Sequence, residues 1–568
     1  MTRALSRFSC ALLTCLTAAF AEIPPPAEDH GNRFGIASGA EWSGDYPRFL
    51  PMLKDAGMGW IRYFREWHGL QPKQGEWDWK WADEFVGTAK KDSIQVTGLF
   101  CYFAPWASSG GDSRTFPVKD MQYWRDYVSG MVAHFGKDIR YWEVWNEPQN
   151  FQKNGTPQLY ADLVREAYVA AKKADPQMQI GITVASNSIS YLDKAIKAGA
   201  ADHFDYVCVH PYENVEQLTR PGGEVYYLSI ADNLRRMLAA NKQRADLPLW
   251  ITEIGWQAPI KGDAEKERTQ AEILVKVYVL SFAQGFRRVC WFEARGPAYG
   301  KGTDHGLIRT DWTPRPALAA MKTMVGVLGE SPTYLGWVNA GDTFGFVFEG
   351  KAGPVLAAWA PVDGKASLDL GDGASLVDLA GQEAKTTGGK LELTNTPVFV
   401  TNLPARWVSE AKTNAGKPFP WGGDFAKAAS VVWKPGSPAG LEAINPPAAE
   451  KIGDDSCVRV KKGTGLSFRV NPTYAGFGDT DLEIKVVARR AVPNKDAGLQ
   501  MMAEVMKTSY GYDRAGWWTI PADDQWHENV WRLKDANFVG VWAYNFTLTE
   551  ISGDMLVKEV SVRKVPAQ

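Results

Sequence analysis

The segment from Arg33 to about Val327 alternates short apolar runs with longer stretches of helical period. This alternation is typical of a parallel sheet wrapped by helices. Eight units occur, with strands predicted at residues 33–39, 59–63, 95–101, 141–144, 179–184, 206–209, 249–252 and 288–292. Eight units over roughly 300 residues favour a (β/α)8 barrel over an open doubly wound sheet. The open sheet is further disfavoured because no glycine-rich dinucleotide fingerprint follows the first strand.

The residues between these strands have the spacing of amphipathic helices. In one of them, apolar side chains recur three and four positions apart, at Met121, Trp124, Val128, Met131 and Phe135. Side chains with this spacing share one helix face, which we expect to pack against the sheet. The chain of 568 residues is long enough for several domains, so the barrel is not expected to be its only unit.

Near Gly329 the sequence pattern changes from alternating strands and helices to short strands and glycine turns. This change indicates that further domains follow the barrel. We assign residues 30–328 to the barrel. Residues 331–404 contain short strands and glycine turns, and they predict a small antiparallel β domain packed on the barrel. Residues 405–440 are rich in Pro, Gly and Lys, which predicts a linker or domain edge. Residues 441–568 are again all-β in texture and predict a β-sandwich.

The first 21 residues have the features of an export signal. Arg3 and Arg7 precede an apolar stretch that runs to Phe20, and small residues provide a cleavage site at Ala21. A membrane anchor is disfavoured because the stretch is short and interrupted by Ser and Thr. A lipoprotein signal ending at Cys15 is an alternative that Thr14 fits poorly. We therefore expect a secreted protein, extracellular or periplasmic, with no membrane span.

Charge and cysteine usage exclude several classes of function. The formal net charge is -2, and removal of residues 1–21, with two arginines and no acid, would make it -4. This balance gives no basis for binding nucleic acid or anionic lipid. Cys101, Cys208 and Cys290 lie in different predicted strands and are expected to be buried thiols rather than disulfides. No metal or cofactor is expected, since neither ligand spacing nor a nucleophilic triad occurs.

Two glutamates stand at the ends of predicted barrel strands. Glu147 follows the fourth strand in Trp145-Asn146-Glu147-Pro148, and Glu253 ends the seventh in Trp250-Ile251-Thr252-Glu253. The carboxyl ends of barrel strands are where catalytic residues lie. Cleavage of a glycosidic bond requires one carboxyl to protonate the leaving oxygen while another meets the charge developing at the sugar carbon. The competing interpretations are a loop cap for Glu147 and a structural salt bridge for Glu253.

The stretches 141–148 and 250–255 resemble the two catalytic motifs of the clan A glycoside hydrolases, with a texture nearest to families 39 and 5. The resemblance covers the barrel and the small β domain. It implies a retaining mechanism with Glu147 as acid/base and Glu253 as nucleophile. A retaining pair has its carboxyls about 5–5.5 Å apart. The motifs are specific to the clan and do not identify one sugar.

These features predict a secreted retaining glycoside hydrolase that acts on a poly- or oligosaccharide. Two alternatives use the same scaffold. One is a noncatalytic glycan-binding surface protein that kept the barrel, against which the intact pair of glutamates argues. The other is a transglycosylase, in which a second sugar instead of water accepts the intermediate.

Other strand ends supply candidate partners for the two glutamates. Arg62 ends the second strand and is placed to hold Glu253 as an anion by charge and hydrogen bonding, with pairing to a helix as the alternative. By the resemblance, Asn146 binds the sugar 2-hydroxyl. The motif His210-Pro211-Tyr212 follows the sixth strand, and the resemblance implies that Tyr212 donates to the nucleophile while His210 contacts substrate.

Aromatic residues near the strand ends are candidates for sugar contacts. The resemblance implies that Trp291, in the eighth strand, stacks beneath the sugar at the cleavage point, and core packing is the alternative. On neighbouring loops, further residues are predicted to extend the cleft; these are Trp67, His68, Trp106 and Trp256.

Three charged residues depart from the clan pattern or add to it. Glu293 and Arg295 follow the eighth strand, where they would bind an acidic or highly hydroxylated sugar or pair with each other, and pairing is favoured. Glu143 lies four residues before Glu147, on the same side of the chain by strand alternation. A hydrogen bond in the barrel core is the favoured role for Glu143, and a third site carboxylate is the alternative.

The last domain is rich in tryptophan, with five of the 24 tryptophans of the chain at positions 517, 518, 526, 531 and 542. Such density predicts either a polysaccharide-binding face, as in β-sandwich carbohydrate-binding modules, or a tryptophan-rich core. The sequence gives the two interpretations equal support.

Overall fold

The computed structural model describes residues 31–37, 44–62, 65–296, 302–371, 373–386, 389–508 and 511–565. The predicted export signal, residues 1–21, lies outside these ranges. Among the helices within them, none combines the length and the apolar character needed to cross a bilayer.

Eight parallel strands close into a barrel, which confirms the predicted fold class. The strands are Phe34–Ala37, Trp60–Arg62, Gln95–Phe100, Tyr141–Val144, Gln179–Ala185, Tyr206–His210, Leu249–Ile254 and Arg288–Trp291. The first and last strands pair, with Ile36 opposite Trp291. Their residues are buried, as expected for strands covered by helices outside and packed side chains inside.

Helices follow the barrel strands and cover the outside of the sheet. Those of the barrel are Tyr46–Asp55, Trp67–Leu70, Lys80–Lys91, Met121–Phe135, Pro157–Ala174, Ile189–Ala195, Ile196–Ala200, Tyr212–Gln217, Gly223–Tyr227, Ile230–Ala240, Ala264–Ala283 and Pro316–Leu328. The helix Met121–Phe135 illustrates why they form. Its first turn is capped by the Asp120 side chain, which accepts from the Gln122 N–H, and the predicted apolar face, including Trp124 and Val128, is buried.

The small β domain contains a six-stranded antiparallel sheet and a separate two-stranded one. Their strands are Thr333–Val338, Phe344–Gly350, Gly353–Trp359, Ala366–Asp369, Ser375–Val377, Glu383–Lys385, Lys390–Leu393 and Val398–Thr401. Trp359 donates its indole N–H to Glu224 of the barrel at 3.0 Å. Glu224 also pairs with the buried Lys276 at 3.1 Å. Trp359 thus connects the small β domain to a buried ion pair of the barrel.

The stretch 405–440, predicted as a linker or domain edge, contains regular secondary structure. It begins with a helix, Ala405–Asn414, and contains the strand Ser430–Trp433 of the last domain. The helix packs on the small β domain, where the Asn414 side chain donates to the Trp337 carbonyl at 3.2 Å. A backbone carbonyl of this helix lies so near Gly336 that a β-carbon there would clash. Tertiary packing therefore orders a stretch whose composition is typical of a linker.

The last domain is a β-sandwich of two antiparallel sheets around one core. One sheet contains Ser430–Trp433, Ala449–Ile452, Asp455–Val460, Leu482–Arg490, His527–Leu533 and Met555–Lys564, and the other Leu441–Ile444, Leu466–Val470, Gly498–Glu504, Tyr512–Thr519 and Phe546–Thr549. The strand Leu482–Arg490 alternates buried and partly exposed residues, as expected for a sheet with one face in a core.

The four described cysteines, Cys101, Cys208, Cys290 and Cys457, are free and buried. Cys208 and Cys290, in barrel strands, and Cys101, directly after the third strand, are therefore the buried thiols that the sequence predicts.

Candidate active site

Glu147 and Glu253 meet at the carboxyl end of the barrel. Glu147 follows the fourth strand, and Glu253 lies in the seventh, Leu249–Ile254. One carboxylate oxygen of each lies within 4.8 Å of the other. Both side chains are largely buried, with exposed fractions of 11% and 16%. The two glutamates thus share one small cleft.

Two donors hold the carboxylate of Glu253. The Tyr212 hydroxyl donates to its Oε1 at 2.9 Å, and the Arg62 Nη1 donates to its Oε2 at 3.0 Å. A cation and a phenol that donate to a carboxylate both favour its ionised form. The structure therefore brings together the three residues that the sequence predicts for this function.

Arg62 is itself held by a buried network. Its Nε donates to Glu143 at 3.2 Å, and its Nη2 donates to the Asn146 side-chain oxygen at 2.8 Å. Burial opposes the charged form of the Arg62 guanidinium. The neighbouring carboxylates of Glu143 and Glu253 nevertheless raise the pKa of Arg62 above its ordinary value. Glu143 has the favoured role of a hydrogen bond in the barrel core. The guanidinium is thereby fixed in orientation, because three of its nitrogens have separate partners.

Asn146 is oriented from both ends of its amide. Its oxygen accepts from Arg62, and its Nδ2 donates to the Tyr102 hydroxyl at 3.1 Å. The amide is mostly buried beside the catalytic pair. Tyr102 was not among the predicted site residues, although it directly follows the predicted third strand.

Glu147 has a different environment from that of Glu253. Burial raises the pKa of Glu147, and the Asn150 side chain, which donates to its Oε2 at 3.2 Å, partly opposes this rise. Its Oε1 lies 2.9 Å from Nδ1 of His210. A carboxyl with a raised pKa suits a general acid, which must carry its proton near neutral pH.

The tautomer of His210 follows from its second contact. Burial lowers the pKa of this fully buried imidazole to about 4, so it is neutral near neutral pH. Its Nε2 lies 3.1 Å from the Thr252 hydroxyl, which donates to Glu143 at 3.4 Å. Since the hydroxyl hydrogen is used on Glu143, the hydroxyl oxygen accepts from Nε2–H. The His210 Nδ1 is then a lone-pair acceptor for the proton of Glu147.

The two carboxyls titrate as a pair. Burial raises the pKa of both, and their mutual repulsion adds to the effect on Glu253. Arg62 and Tyr212 favour the anion on Glu253, whereas the Nδ1 lone pair of His210 favours the proton on Glu147. These unlike partners favour the division of roles that the resemblance implies, with the anion on Glu253 and the proton on Glu147.

The three predicted residues in and after the eighth strand have buried or ion-paired surroundings. Trp291 is fully buried and its indole donates to the His305 carbonyl at 3.1 Å, so it packs in the core. Glu293 is also fully buried. Arg295 donates to Asp45 at 2.6 Å.

The tryptophans predicted on the loops near the strand ends include both a buried core residue and partly exposed residues. Trp67 is buried and stacks on Tyr127, with ring centroids 4.5 Å apart, so it is a core residue. Trp106 is partly exposed, and its indole donates to the Gln71 carbonyl at 3.0 Å. This contact orients the partly exposed Trp106 ring.

The other two predicted cleft residues are also partly accessible. His68 is half-exposed and lies 3.0 Å from Glu66. Trp256 follows the seventh strand, is partly exposed, and its carbonyl accepts from the Gln270 side chain at 2.9 Å. His305 was not predicted; its ring lies edge-on to Tyr212, with centroids 5.9 Å apart.

The pair and His210 form one group that is able to hold a cation. One ligand atom from each of Glu147, His210 and Glu253 lies within 4.8 Å of the others. Two carboxylate oxygens and an imidazole nitrogen suit a divalent transition metal. The sequence predicts no metal site here, because these three residues are widely separated along the chain.

Comparisons with known proteins show similarity to glycoside hydrolases. Residues 64–184 match the sequence model of Glycosyl hydrolase family 10. The chain is 37% identical over 95 residues to a beta-xylosidase of Geobacillus stearothermophilus, covering 14% of this chain and 19% of that protein. It is 24% identical over 126 residues to endo-1,4-beta-xylanase A of Phanerodontia chrysosporium, covering 21% and 30%. The chain thus spans less than a third of each relative.

A solved structure shares the fold over a longer range. It is a family 39 glycoside hydrolase from the gut symbiont Bacteroides cellulosilyticus WH2, with 20% sequence identity and a TM-score of 0.55. The superposition covers 67% of this chain and 81% of the other. The family match, the relatives and the closed barrel together confirm that this chain resembles the clan A glycoside hydrolases.

Proposed function

We propose that this protein is a retaining glycoside hydrolase that cleaves a poly- or oligosaccharide by double displacement. The observation that carries the proposal is the approach of Glu147 and Glu253, whose nearest carboxylate oxygens lie within 4.8 Å. An inverting enzyme needs carboxyls about 6.5–9.5 Å apart to admit a water molecule between one of them and the sugar. The short separation supports direct attack by one carboxylate on the sugar.

In the first step, the Glu253 carboxylate attacks the anomeric carbon while Glu147 gives its proton to the departing glycosidic oxygen. A covalent glycosyl-enzyme forms, and the aglycone leaves with the proton. Arg62 and Tyr212, which donate to Glu253, keep it ionised and oriented before attack. The first step requires a protonated Glu147 and an ionised Glu253, and their unlike partners favour this arrangement.

In the second step, the Glu147 carboxylate takes a proton from a water that attacks the anomeric carbon and releases Glu253. The Nδ1 lone pair of His210, 2.9 Å from Glu147, disfavours the anion left after the first step. Glu147 is therefore driven to recover a proton. The cycle ends with the protonation states in which it began.

We propose β-linked xylan or its oligosaccharides as the first substrates to test. The relatives that match the chain are a beta-xylosidase and endo-1,4-beta-xylanases, and this supports the choice. Export of the protein, expected from residues 1–21, would bring it to such a polymer outside the cytoplasm.

The test is hydrolysis of a polysaccharide panel that includes xylan, measured by the release of reducing ends. Hydrolysis of aryl glycosides is measured alongside it. Glu253→Gln should abolish turnover. Glu147→Ala should keep activity on aryl glycosides with good leaving groups, and azide should accelerate it by attacking the exposed intermediate. Glu265→Gln, on the exposed start of a barrel helix, is the matched control and should behave as the unmodified protein.

The result that contradicts the proposal is wild-type hydrolysis by either site variant on a natural glycan. Binding of glycans without any hydrolysis would instead favour the noncatalytic alternative. Sugar transfer in place of water attack would be seen as longer products, and it would leave the assignment of the two glutamates intact.

A further inference from the structure

The β-sandwich reaches the rim of the candidate active site. Oγ of Ser186 lies 2.7 Å from the Val541 carbonyl oxygen, and the Asn187 side chain donates to the Val539 carbonyl at 3.2 Å. Ser186 follows the fifth barrel strand, and its own carbonyl accepts from the His210 N–H at 3.2 Å. One backbone contact thus separates the sandwich loop from the residue that faces Glu147.

Three aromatic residues lie at this junction, and we call Tyr512, Trp542 and Tyr544 the aromatic rim. The Tyr512 ring packs against both of the others, with centroids 4.8 Å from Trp542 and 4.7 Å from Tyr544. Trp542 is 37% exposed, which is high for a tryptophan.

A polar group accompanies the aromatic rim on the barrel side. A carboxylate oxygen of Glu213 lies 2.6 Å from Oγ of Ser186, the residue that contacts Val541. Glu213 directly follows Tyr212, which donates to the candidate nucleophile. The aromatic rim is therefore continuous with the candidate active site along the loops that follow the fifth and sixth strands.

The loop that carries Trp542 is held in one conformation. The buried Glu504 accepts from the N–H groups of Val539, Gly540 and Val541, at 3.0, 2.8 and 3.0 Å. The Trp542 ring packs on Gly511, where a β-carbon would lie 2.7 Å from it. A surface fixed before binding loses little conformational freedom on contact with a ligand.

We propose that the aromatic rim is a glycan subsite, at which sugar units of a chain extending from the cleft stack on Trp542. The inference rests on the proposed function and deepens it, because the sandwich then completes the substrate cleft. Tryptophan offers a large apolar face to the apolar faces of sugars, and the neighbouring carboxylate accepts from hydroxyl groups.

The other tryptophans of the sandwich have different surroundings. Trp531 is 6% exposed and belongs to the core, and Trp526 lies beneath the cations of Arg489 and Lys558. Trp517 is 48% exposed, and its indole donates to Thr519 of the same strand at 2.9 Å. Trp517 is therefore a matched control, an exposed tryptophan whose indole is engaged within its own strand.

The experiment is affinity electrophoresis of the intact chain in gels that contain soluble xylan, mixed-linkage β-glucan or galactomannan. The Glu253→Gln background prevents digestion of the polysaccharide during the run. We expect at least one polysaccharide to retard this protein, and Trp542→Leu to weaken the apparent binding about tenfold, as loss of a central aromatic contact does. Trp517→Leu should leave the retardation unchanged.

Two measurements separate loss of the subsite from loss of the fold. Melting temperatures should agree between the two leucine variants, and Trp542→Phe, which keeps an aromatic face, should retain most of the binding. Equal retardation with and without Trp542 would overturn the proposal, as would loss of retardation on changing Trp517 alone. Absence of retardation in all gels would also overturn it, whereas hydrolysis by the unmodified protein judges the proposed function separately.

Discussion

Nδ1 of His210 lies 2.9 Å from Oε1 of Glu147, and the imidazole is fully buried. Burial lowers the pKa of His210 to about 4, so the contact is made by a neutral ring near neutral pH. A neutral imidazole with its hydrogen on Nε2 presents only a lone pair to Glu147. Protonated Glu147 can donate a hydrogen bond to this lone pair, so His210 stabilises the acid form of Glu147.

The first prediction concerns Thr252, which fixes this tautomer. Thr252→Val keeps the shape but leaves Nε2–H without its acceptor, a loss of roughly 1–3 kcal/mol for a buried group. The ring can then turn its hydrogen to Nδ1 and donate to the Glu147 anion, which lowers the pKa of Glu147. We expect the alkaline limb of the kcat/KM profile to move to lower pH. Thr252→Ser should restore the profile; a profile unchanged in Thr252→Val would contradict this role.

The second prediction concerns Asn150, whose side chain donates to Glu147 at 3.2 Å. This donor stabilises the ionised carboxylate and so holds down a pKa that burial has raised. Asn150→Ala should raise the pKa of Glu147 further and move the alkaline limb to higher pH. A shift below about one pH unit is expected from one hydrogen bond. The sign is the test, because a downward shift would mean that Asn150 favours the protonated form.

The third prediction concerns Tyr212, which donates to Glu253 at 2.9 Å. Tyr212→Phe removes a donor to the anion, so the pKa of Glu253 should rise. Activity needs Glu253 ionised, and the acid limb of the kcat/KM profile should therefore move to higher pH, with a lower kcat at the optimum. If only the alkaline limb moved, Tyr212 would be acting on the acid rather than on the nucleophile.

The fourth prediction concerns stability. Arg62 is buried between Glu143 and Glu253, and Arg62→Met leaves both carboxylates without their cation. Removal of one partner from a buried ion pair costs about 3–5 kcal/mol in the free energy of unfolding. Urea unfolding followed by tryptophan fluorescence would measure the loss. The double variant Arg62→Met with Glu143→Gln should recover part of it, and a simple sum of the two single losses would contradict the pairing.

Most residues that contact Glu147 or Glu253 can be predicted from the sequence, because the barrel topology determines which strand ends lie together. Glu147, Glu253, Arg62 and Tyr212 each end or follow a strand, and parallel strands bring their carboxyl ends together. Thr252 could not be found in this way. Alternation would place it on the opposite face from Glu253, but the register of the seventh strand shifts between Ile251 and Ile254.

Other features depend on packing that no local pattern contains. Trp531 and Trp542 belong to one tryptophan-rich stretch, yet one is a core residue and the other is exposed at the barrel junction. The same holds for Trp291, whose position in the eighth strand fits both a sugar platform and a core residue. Burial of a large side chain depends on which elements meet around it, and these meet from distant parts of the chain.

The most direct test of the central claim is to trap the intermediate. A fluorinated xyloside with an activated leaving group, or the matching analogue of any other sugar that the panel shows to be cleaved, should inactivate the protein by accumulating the glycosyl-enzyme. Peptide mass spectrometry is predicted to find the sugar on Glu253, with Glu253→Gln unlabelled. A label on Glu147 or on another residue, or products released with inverted anomeric configuration, would contradict the account.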